Sequence, residues 1–379
     1  MKRIELTIST NYVSDWGIPE GIREFVQNAL DQEVQSAGKN KFIWSYDKCT
    51  DKLSIGSLKS VLDTKTLLLG MSTKQNDAAT VGQFGEGYKL GCLALLRAKC
   101  PVTIYNYGAK EIWHPHLIKS RRFGSTILVF DIESVSIWKR PVNADLTFVI
   151  EDISHEQFDN LSQYILPFNP PTNIIKTDKG SILFDDKYRQ KVYINGLYVS
   201  DFTNLRYGYD IPAKYLTLDR DRRMARDFDV SWATSAIWAL SDRMDLIIEL
   251  LSKPKETDDS SYYSDAWYVQ SISWDITFNS ILSSKAYQSF LSKHGNKAVP
   301  VCSEQERKDY TKRGYKAVVS LGAYAKLVRS APEFNCPELP TVTEQLLTWY
   351  KTLCSTVEVP TELDAQFKDL YEIIRNSMF

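Results

Sequence analysis

The run Glu24-Phe25-Val26-Gln27-Asn28-Ala29-Leu30-Asp31 predicts a packed helix with three polar side chains on one side. Apolar residues at positions 22, 25, 26, 29 and 30 fall on one helical stripe. Glu24, Asn28 and Asp31 recur at i, i+4 and i+7, so they project side by side. Pro19 suits the first turn, where a missing N–H is not needed. Polar faces of such helices usually only meet solvent, so this helix alone does not establish a function.

A second run, Gly82-Gln83-Phe84-Gly85-Glu86-Gly87-Tyr88-Lys89, places three glycines immediately before an apolar helix predicted at Leu90–Arg97. Glycines at such a position let backbone N–H groups approach an anion, and the positive end of the helix dipole adds to the attraction. The run therefore predicts a phosphate cradle, with ordinary turn glycines as the alternative.

Together the two runs resemble the N-box and the glycine-rich box of the GHKL ATPases, the superfamily of gyrase B subunits, heat-shock chaperones, histidine kinases, MutL and MORC proteins. The Glu-x-x-x-Asn-Ala-x-Asp spacing and the Gly-Gln-Phe-Gly-x-Gly phrase match residue for residue, in the same order and about fifty residues apart. The resemblance covers about residues 1–230 and implies a Bergerat-type nucleotide domain that binds ATP and Mg²⁺.

The resemblance also implies roles for individual residues. Glu24 matches the general base that activates the attacking water, and Asn28 matches the magnesium ligand. Asp31 matches a nucleotide-site carboxylate but could equally orient its neighbours. The phosphate cradle would consist of Gly82, Gln83, Phe84, Gly85 and Gly87. Lys74, in Gly70-Met71-Ser72-Thr73-Lys74, resembles the lysine that opens a short ATP lid, although a lysine in a polar loop is often only solvated.

The adenine site departs from the family pattern. The family places an Asp after a strand to accept a hydrogen bond from the adenine amino group, and here Ser57 occupies that position, with Lys59 where a Gly is usual. A hydroxyl can accept this bond, but without charge the bond is weaker by about 1 kcal/mol. The second adenine contact of the family, a Thr at the start of the last strand, matches Thr147, with Thr126 as the alternative.

The region after residue 171 resembles the middle domain of the heat-shock chaperones over a shorter stretch. Leu216-Thr217-Leu218-Asp219-Arg220-Asp221-Arg222 puts Arg222 at the position of the arginine that contacts the γ-phosphate. A mutually neutralising run of Asp and Arg on a solvated surface is one alternative. Another is that Lys214 contacts the γ-phosphate, as a lysine does in the gyrase and MutL branch.

The pattern of predicted helices and strands indicates an α+β protein. Strand-like runs and helices up to residue 152 fit a two-layer α/β sandwich with helices on one sheet face. Pro167–Pro171 marks a boundary, and a long amphipathic helix is predicted at Val230–Leu251. We predict three parts: a nucleotide domain at 1–170, a small α/β transducer-like domain at 171–253, and a mostly helical α/β domain of unassigned role at 262–379.

Composition excludes several classes of protein. The 379 residues are 43% hydrophobic and 25% charged with a formal net charge of −1, which is ordinary for a globular protein. The near-zero charge argues against a chain that coats nucleic acid but permits a local patch. The six cysteines show no metal or C-x-x-C spacing, so free thiols in a reducing cytoplasm are expected. No apolar run is long enough for a membrane span.

Within the superfamily, we expect a compact hydrolase-type member of the kind encoded by phages and bacteria. No histidine precedes Glu24, against a histidine kinase, and no Glu-Gly-Asp phrase supports a topoisomerase. The expected function is ATP-gated closure, with a homodimer in the ATP state built on residues 1–18, where Tyr12 and Trp16 could anchor an interface. Two alternatives stay open: a nucleotide-binding regulator with little turnover, and a DNA-engaging clamp that uses the basic segment 214–226.

Overall fold

A computed structural model of the chain describes residues 1–68, 87–135, 145–216, 227–255, 261–273, 275–335 and 342–377. Contacts divide the chain into two units. The first unit comprises Met1–Arg243 together with Tyr263–Ile272, and the second comprises Met244–Tyr262 together with Ser273–Phe379. The predicted division into three parts at 170 and 253 stays a prediction.

An antiparallel sheet of seven strands forms the base of the first unit. Its strands are β1 Lys2–Ser9, β2 Phe42–Asp47, β3 Lys52–Ser57, β4 Val102–Asn106, β5 Glu111–Ser120, β6 Ser125–Ser134 and β7 Leu146–Ile150. Their spatial order is β1-β6-β5-β4-β7-β3-β2, so β7 lies between β4 and β3. Alternate residues of these strands point to one face and form its hydrophobic core, as a half-buried sheet requires.

Three helices cover that face: α1 Ile18–Gln35, α2 Gly87–Arg97 and α3 His155–Ser162. Phe25 of α1 stacks on Phe148 of β7 with ring centroids 4.4 Å apart, and both are buried. Burying a side chain of this size stabilises the fold by about 1.5–3 kcal/mol. The predicted two-layer α/β sandwich is thereby confirmed, as is Pro19 in the first turn of α1.

A second sheet follows in the same unit. Its strands are β8 Ile174–Thr177, β9 Gly180–Leu183, β10 Lys191–Ile194, β11 Leu197–Asp201 and β12 Gly208–Ile211, in the order β11-β10-β12-β9-β8. The sequence predicts one strand over 192–199, but Asn195 and Gly196 both take positive φ and turn the chain into a β10–β11 hairpin. An Asn-Gly pair is the strongest short hairpin signal, so the turn is explained by local chemistry.

The single helix predicted at Val230–Leu251 is wrong. The structure has α4 at Asp227–Ala239 and α5 at Met244–Ser252, and these belong to different units. Between them the Ser241 hydroxyl donates to the carbonyl of Trp238 at 2.8 Å, and Asp242 has φ +55°. Serine and aspartate can satisfy the backbone outside a helix, and these two residues end α4 despite continuous hydrophobic periodicity.

The segment Tyr263–Ile272 belongs to the first unit and carries α6 at Val269–Ile272. A buried carboxylate, Asp265, attaches this segment to the rest of the unit. Asp265 accepts hydrogen bonds from the backbone N–H groups of Arg206 and Tyr207, and from the hydroxyl of Tyr209. Trp238 donates to the same Tyr209 hydroxyl at 2.8 Å. Burial raises the pKa of Asp265 to about 6 although these donors oppose the shift. The network fixes the segment beside the second sheet.

The second unit is mostly helical, as predicted, and it contains two short parallel strands. Besides α5 it contains α7 Ile276–His294, β13 Ala298–Val301, α8 Glu304–Lys312, β14 Lys316–Val319, α9 Gly322–Arg329, α10 Val342–Thr356 and α11 Thr361–Ser377. Among the helices that the structure describes, none has the length and apolar content needed to cross a bilayer. None of the five described cysteines forms a disulfide.

Candidate functional site

The start of α1 is held by a cap and by an arginine from α2. Glu20 accepts a hydrogen bond from the backbone N–H of Gly17 at 2.8 Å, which satisfies one of the unpaired groups at the helix N-terminus. Arg97 donates to carbonyls of the preceding loop, at Thr10, Tyr12, Val13 and Trp16. Sequence reasoning missed Arg97, because a basic residue in the last turn of a helix gives no sign of which loop it will contact.

The helices α1 and α2 cross at a pair of glycines. A Cβ added to Gly91 would lie 2.9 Å from the carbonyl oxygen of Gly21 and 2.9 Å from the Phe25 ring. A Cβ added to Gly21 would lie 2.8 Å from Cγ of Leu95. Only glycine at both positions allows this backbone approach, so the crossing sets the position of α2 relative to the polar side of α1.

The crossing brings the first residue of α2 against the predicted catalytic carboxylate. A Cβ on Gly87 would lie 2.0 Å from Oε2 of Glu24 and 3.6 Å from Nδ2 of Asn28. Glu24 and Asn28 therefore lie at the N-terminus of α2, and the N–H groups and the dipole of a helix N-terminus favour an anion. The structure thus joins one part of each sequence motif in a single place.

The polar side of α1 is largely enclosed. Glu24 is 7% exposed and Asp31 is 1% exposed, whereas Asn28 is half-buried. Nδ2 of Asn28 donates to the carbonyl of Glu24 at 2.8 Å. No described residue donates to the amide oxygen of Asn28, so that oxygen is left to meet a ligand. A buried carboxylate and a nearby amide oxygen are groups that can position a water and a cation.

Tyr88 and Lys89, the next residues of α2, bind the 3₁₀ turn Thr64–Leu67. The Tyr88 hydroxyl lies 2.9 Å from Oγ1 of Thr66, and burial raises the pKa of Tyr88 well above its ordinary value. Nζ of Lys89, which is fully buried, donates to the carbonyls of Thr66 at 2.9 Å and Leu68 at 3.0 Å. These bonds tie the start of α2 to the chain just before residue 69. The other predicted phosphate-site residues lie outside the described residues: Lys74, Gly82, Gln83, Phe84 and Gly85.

Ser57, at the end of β3, carries a buried hydroxyl that already has a partner. Its Oγ lies 2.7 Å from Oγ of Ser60, and both side chains are buried. Ser57 pairs with Leu146 of β7, whose side chain belongs to the core on the helix-covered face, so Ser57 points to that same face. Since either hydroxyl can be the donor, the pair can present a donor or an acceptor to a ligand.

The loop after β3 is fixed by residues distant in sequence. Asn106 donates to the carbonyl of Leu62 at 2.8 Å and accepts from the N–H of Leu62 at 3.2 Å. The backbone N–H of Lys59 donates to Asp145 at 2.6 Å, and Lys59 has φ +54°. Lys59 therefore takes the left-handed conformation that favours glycine, the residue usual at this position in the family that the sequence resembles.

The substitution Lys59→Gly should raise the free energy of unfolding by about 0.5–1 kcal/mol. A non-glycine residue in the left-handed region costs about 1–2 kcal/mol, which exceeds the extra chain entropy that glycine loses on folding. Chemical denaturation of the wild type, Lys59→Gly and Lys59→Ala measures the effect, and alanine should give no gain because it keeps the strained φ. A glycine variant less stable than the alanine variant would contradict this explanation.

Thr147 lies on the strand next to Ser57 but on the other face of the sheet. It pairs with Gly56 in the β3–β7 ladder, whereas Ser57 pairs with Leu146, and neighbouring residues of a strand point to opposite faces. Oγ1 of Thr147 is buried without a hydrogen-bond partner in the described part of the chain. The structure does not bring Thr147 and Ser57 together, and the adenine role of Thr147 stays a prediction. Thr126 lies on β6, which β5 and β4 separate from β7.

Two further expectations concern charge. Arg222 and the rest of the segment 217–226 lie outside the described residues, so the contact of Arg222 with a phosphate stays a prediction.

In the ranges that the structure describes, no group of three or more His, Cys, Asp or Glu side chains could hold a metal ion. The amide oxygen of Asn28 fits Mg²⁺ as a single protein ligand, since this ion readily keeps waters and phosphate oxygens as its other ligands.

Comparison with known proteins gives three findings. The family described as the Mycoplasma pneumoniae MPN635 N-terminal domain matches residues 156–237, which cover most of α3, the second sheet and most of α4. An uncharacterized protein of Mycoplasma pneumoniae (strain ATCC 29342 / M129 / Subtype 1) is 22% identical over 242 residues, 60% of this chain and 93% of that protein.

Among solved structures, this chain is similar to the ATPase region of Saccharomyces cerevisiae topoisomerase II, alone and bound to ICRF-187 (dexrazoxane). Each aligns with 9% identity and a TM-score of 0.32 over 48% of this chain and 62% of that chain. The ATPase and transducer domains of DNA topoisomerase II from Balamuthia mandrillaris align with 14% identity and a TM-score of 0.28 over 48% and 60%. The chain therefore spans less than two thirds of the solved chains it matches.

Proposed function

We propose that this chain is a GHKL-type ATPase that binds Mg-ATP where α1 meets the N-terminus of α2. The observation that carries the proposal is the contact of Gly87 with Glu24 and Asn28, because it places a buried carboxylate and an amide at a helix end suited to phosphate. Each half of this arrangement occurs in many proteins. Their combination on the N-box and glycine-box residues is what supports the assignment.

Glu24 is the proposed general base. Its carboxylate lies against Gly87 at the start of α2, and its burial keeps bulk water from competing for the carboxylate. A carboxylate that orients and deprotonates one water beside the terminal phosphate contributes a factor of about 10²–10⁴ in rate. Asp31, seven residues later on the same helix, would orient groups of the site without touching the reacting atoms.

Asn28 is the proposed magnesium ligand. Its amide nitrogen is engaged by the carbonyl of Glu24, which fixes the amide plane and leaves the oxygen as the coordinating atom. When bound, Mg²⁺ would neutralise charge on the nucleotide phosphates. The N–H groups at the start of α2 would hold the phosphates from the other side, together with the glycine-box residues 82–85 and Lys74.

Arg222 is the residue that we propose the region after residue 171 contributes to the reaction. A cation delivered to the terminal phosphate only when the parts of the protein close would stabilise the transferring charge and couple hydrolysis to motion. The local sequence supports this role. If Arg222 reaches the phosphate only on closure, ATP binding would drive closure of the domains on a partner protein.

A phosphate-release assay with purified protein, with and without Mg²⁺, tests the proposal. Magnesium-dependent turnover is expected. Saturable ATP binding without turnover would instead favour the nucleotide-binding regulator, for which the uncharged Ser57–Ser60 pair is the specific observation. Absence of both binding and turnover would contradict the proposal itself.

We expect weak discrimination between ATP and GTP. The Ser57–Ser60 hydroxyl pair carries no charge and can either accept from an amino group or donate to a carbonyl, so neither base is rejected strongly. Ser57→Asp should shift the preference towards ATP by roughly five- to tenfold, since a charged acceptor binds the amino group more strongly. Competition binding of the two nucleotides measures the shift, with Ser60→Ala as a control. Strict adenine preference in the wild type would contradict the expectation.

We also expect a non-hydrolysable ATP analogue to promote a homodimer. Residues Thr10–Trp16 are fixed within their own protomer by Arg97, yet Tyr12 remains 47% exposed and available to a partner copy. Analytical ultracentrifugation with and without the analogue measures the mass, and Tyr12→Ala should weaken the dimer while nucleotide binding persists. An unchanged mass in the presence of the analogue would contradict the expected homodimer.

A further inference from the structure

Two lysines and a tyrosine converge at one end of the second sheet. Lys179 lies in the turn between β8 and β9, and Lys214 and Tyr215 lie in the 3₁₀ turn Ala213–Tyr215 after β12. Nζ of Lys179 lies 4.3 Å from the centroid of the Tyr215 ring, and Nζ of Lys214 lies 4.7 Å from it. The neighbouring ammonium groups of Lys214 and Lys179 hold the pKa of Tyr215 below its ordinary value.

Neither lysine is neutralised by an acidic neighbour. In the described part of the chain no carboxylate forms an ion pair with Lys179 or Lys214, although their protein has almost no net charge. Two like charges over one ring repel each other, and an anion placed between them relieves the repulsion. The Tyr215 hydroxyl can also donate a hydrogen bond to such an anion.

We propose that Lys179, Lys214 and Tyr215 form a binding site for the phosphate backbone of a nucleic acid. Ammonium and phenol groups are common donors to backbone phosphates. A polymer is favoured over a small anion because the chain continues after Tyr215 with four arginines against two aspartates between residues 217 and 226. This site is separate from the α1–α2 junction and does not depend on nucleotide binding there.

The same sheet offers matched control residues. Lys187 lies over the Tyr188 ring at 4.8 Å, and Lys191 lies over the Tyr198 ring at 5.5 Å. Each is a single cation that already has a partner, because Lys187 donates to Asn169 at 2.6 Å and Lys191 pairs with Asp201 at 3.5 Å. They reproduce the lysine–tyrosine contact without the convergence of two charges.

Fluorescence anisotropy with a labelled oligonucleotide of about 20 bases, single-stranded or duplex, tests the site on nucleotide-free protein at about 50–200 mM salt. The double variant Lys179→Ala/Lys214→Ala should raise Kd roughly tenfold. On the single strand it should also lower the slope of log Kd against log salt by about 1.4, because each of the two lost phosphate contacts accounts for about 0.7. Tyr215→Phe should weaken binding by a smaller factor. Lys187→Ala/Lys191→Ala should leave both Kd and the slope unchanged.

Three results would overturn the proposal. The first is no oligonucleotide binding by the wild type at the lowest salt concentration. The second is an equal loss of affinity in the two double variants, which would mean non-specific attraction. The third is thermal stabilisation by inorganic phosphate that depends on Lys179 and Lys214 while oligonucleotides do not bind, which would assign the site to a small anion. None of these three results depends on ATP turnover, so each can be told apart from a failure of the proposed ATPase function.

Discussion

Glu24→Ala should abolish ATP hydrolysis while ATP stays bound. The substitution removes the proposed base but leaves the N–H groups of α2 and the amide of Asn28 in place, so turnover should fall by about 10²–10⁴-fold with little change in nucleotide affinity. Phosphate release and equilibrium binding of ATP, measured on the same preparation, separate the two effects. Glu24→Gln should behave in the same way, because it keeps the shape of the side chain and loses only the base.

A matched control lies on the same helix. Glu33 accepts a hydrogen bond from the backbone N–H of Phe42 at 3.2 Å and lies more than two turns from Glu24, so Glu33→Ala should leave turnover near the wild-type rate. If Glu24→Ala hydrolyses ATP as fast as the wild type, Glu24 is not the base, whatever the outcome for binding.

Gly87→Ala should inactivate the protein almost as completely without unfolding it. The new methyl carbon would meet Oε2 of Glu24 at 2.0 Å, and this atom is the far end of a flexible side chain that can move away. Because Gly87 is the first residue of α2 and not an interior one, its replacement changes helix propensity little, and stability should be retained. The displaced carboxylate no longer positions water, and turnover should fall by about 10²–10⁴-fold. Thermal unfolding and phosphate release together measure this combination.

Gly91→Ala provides the contrast. Its methyl group would meet the backbone of Gly21 and the Phe25 ring, both at 2.9 Å, and neither can move without shifting the helix crossing. This variant should lose about 1–3 kcal/mol of stability. If Gly87→Ala is active, or if it is destabilised as much as Gly91→Ala, the contact between Gly87 and Glu24 does not have the catalytic meaning assigned to it.

Much of the first unit could be predicted from sequence because its signals are local. The helical spacing around Glu24, proline in the first turn and the alternation of the strands each depend on neighbouring residues, and all are present in the structure. The helix predicted at 230–251 failed because Ser241 and Asp242 end α4 inside a continuous apolar pattern. Periodicity records which residues are apolar, but not where the backbone turns.

Contacts between residues distant in the chain could not be predicted from the sequence. The partner of Ser57 is close in sequence, but the fixation of the loop by Asn106 and Asp145 depends on strands paired far along the chain. The face on which Thr147 lies depends on strand register, which a single strand does not specify, and a shift of one residue would reverse it. For the same reason, the sequence showed the two motifs but not that Gly87 touches Glu24.

The most direct test of the Mg-ATP site is a calorimetric titration of ATP into the wild type and into Asn28→Ala, each with Mg²⁺ and with EDTA. The site as proposed predicts saturable binding by the wild type in Mg²⁺, with Kd between about 1 μM and 1 mM, and loss of the Mg²⁺-dependent part of that binding in Asn28→Ala. Equal affinity of the two proteins for Mg-ATP, or no binding by the wild type at millimolar ATP, would contradict the claim that α1 and α2 form a Mg-ATP site.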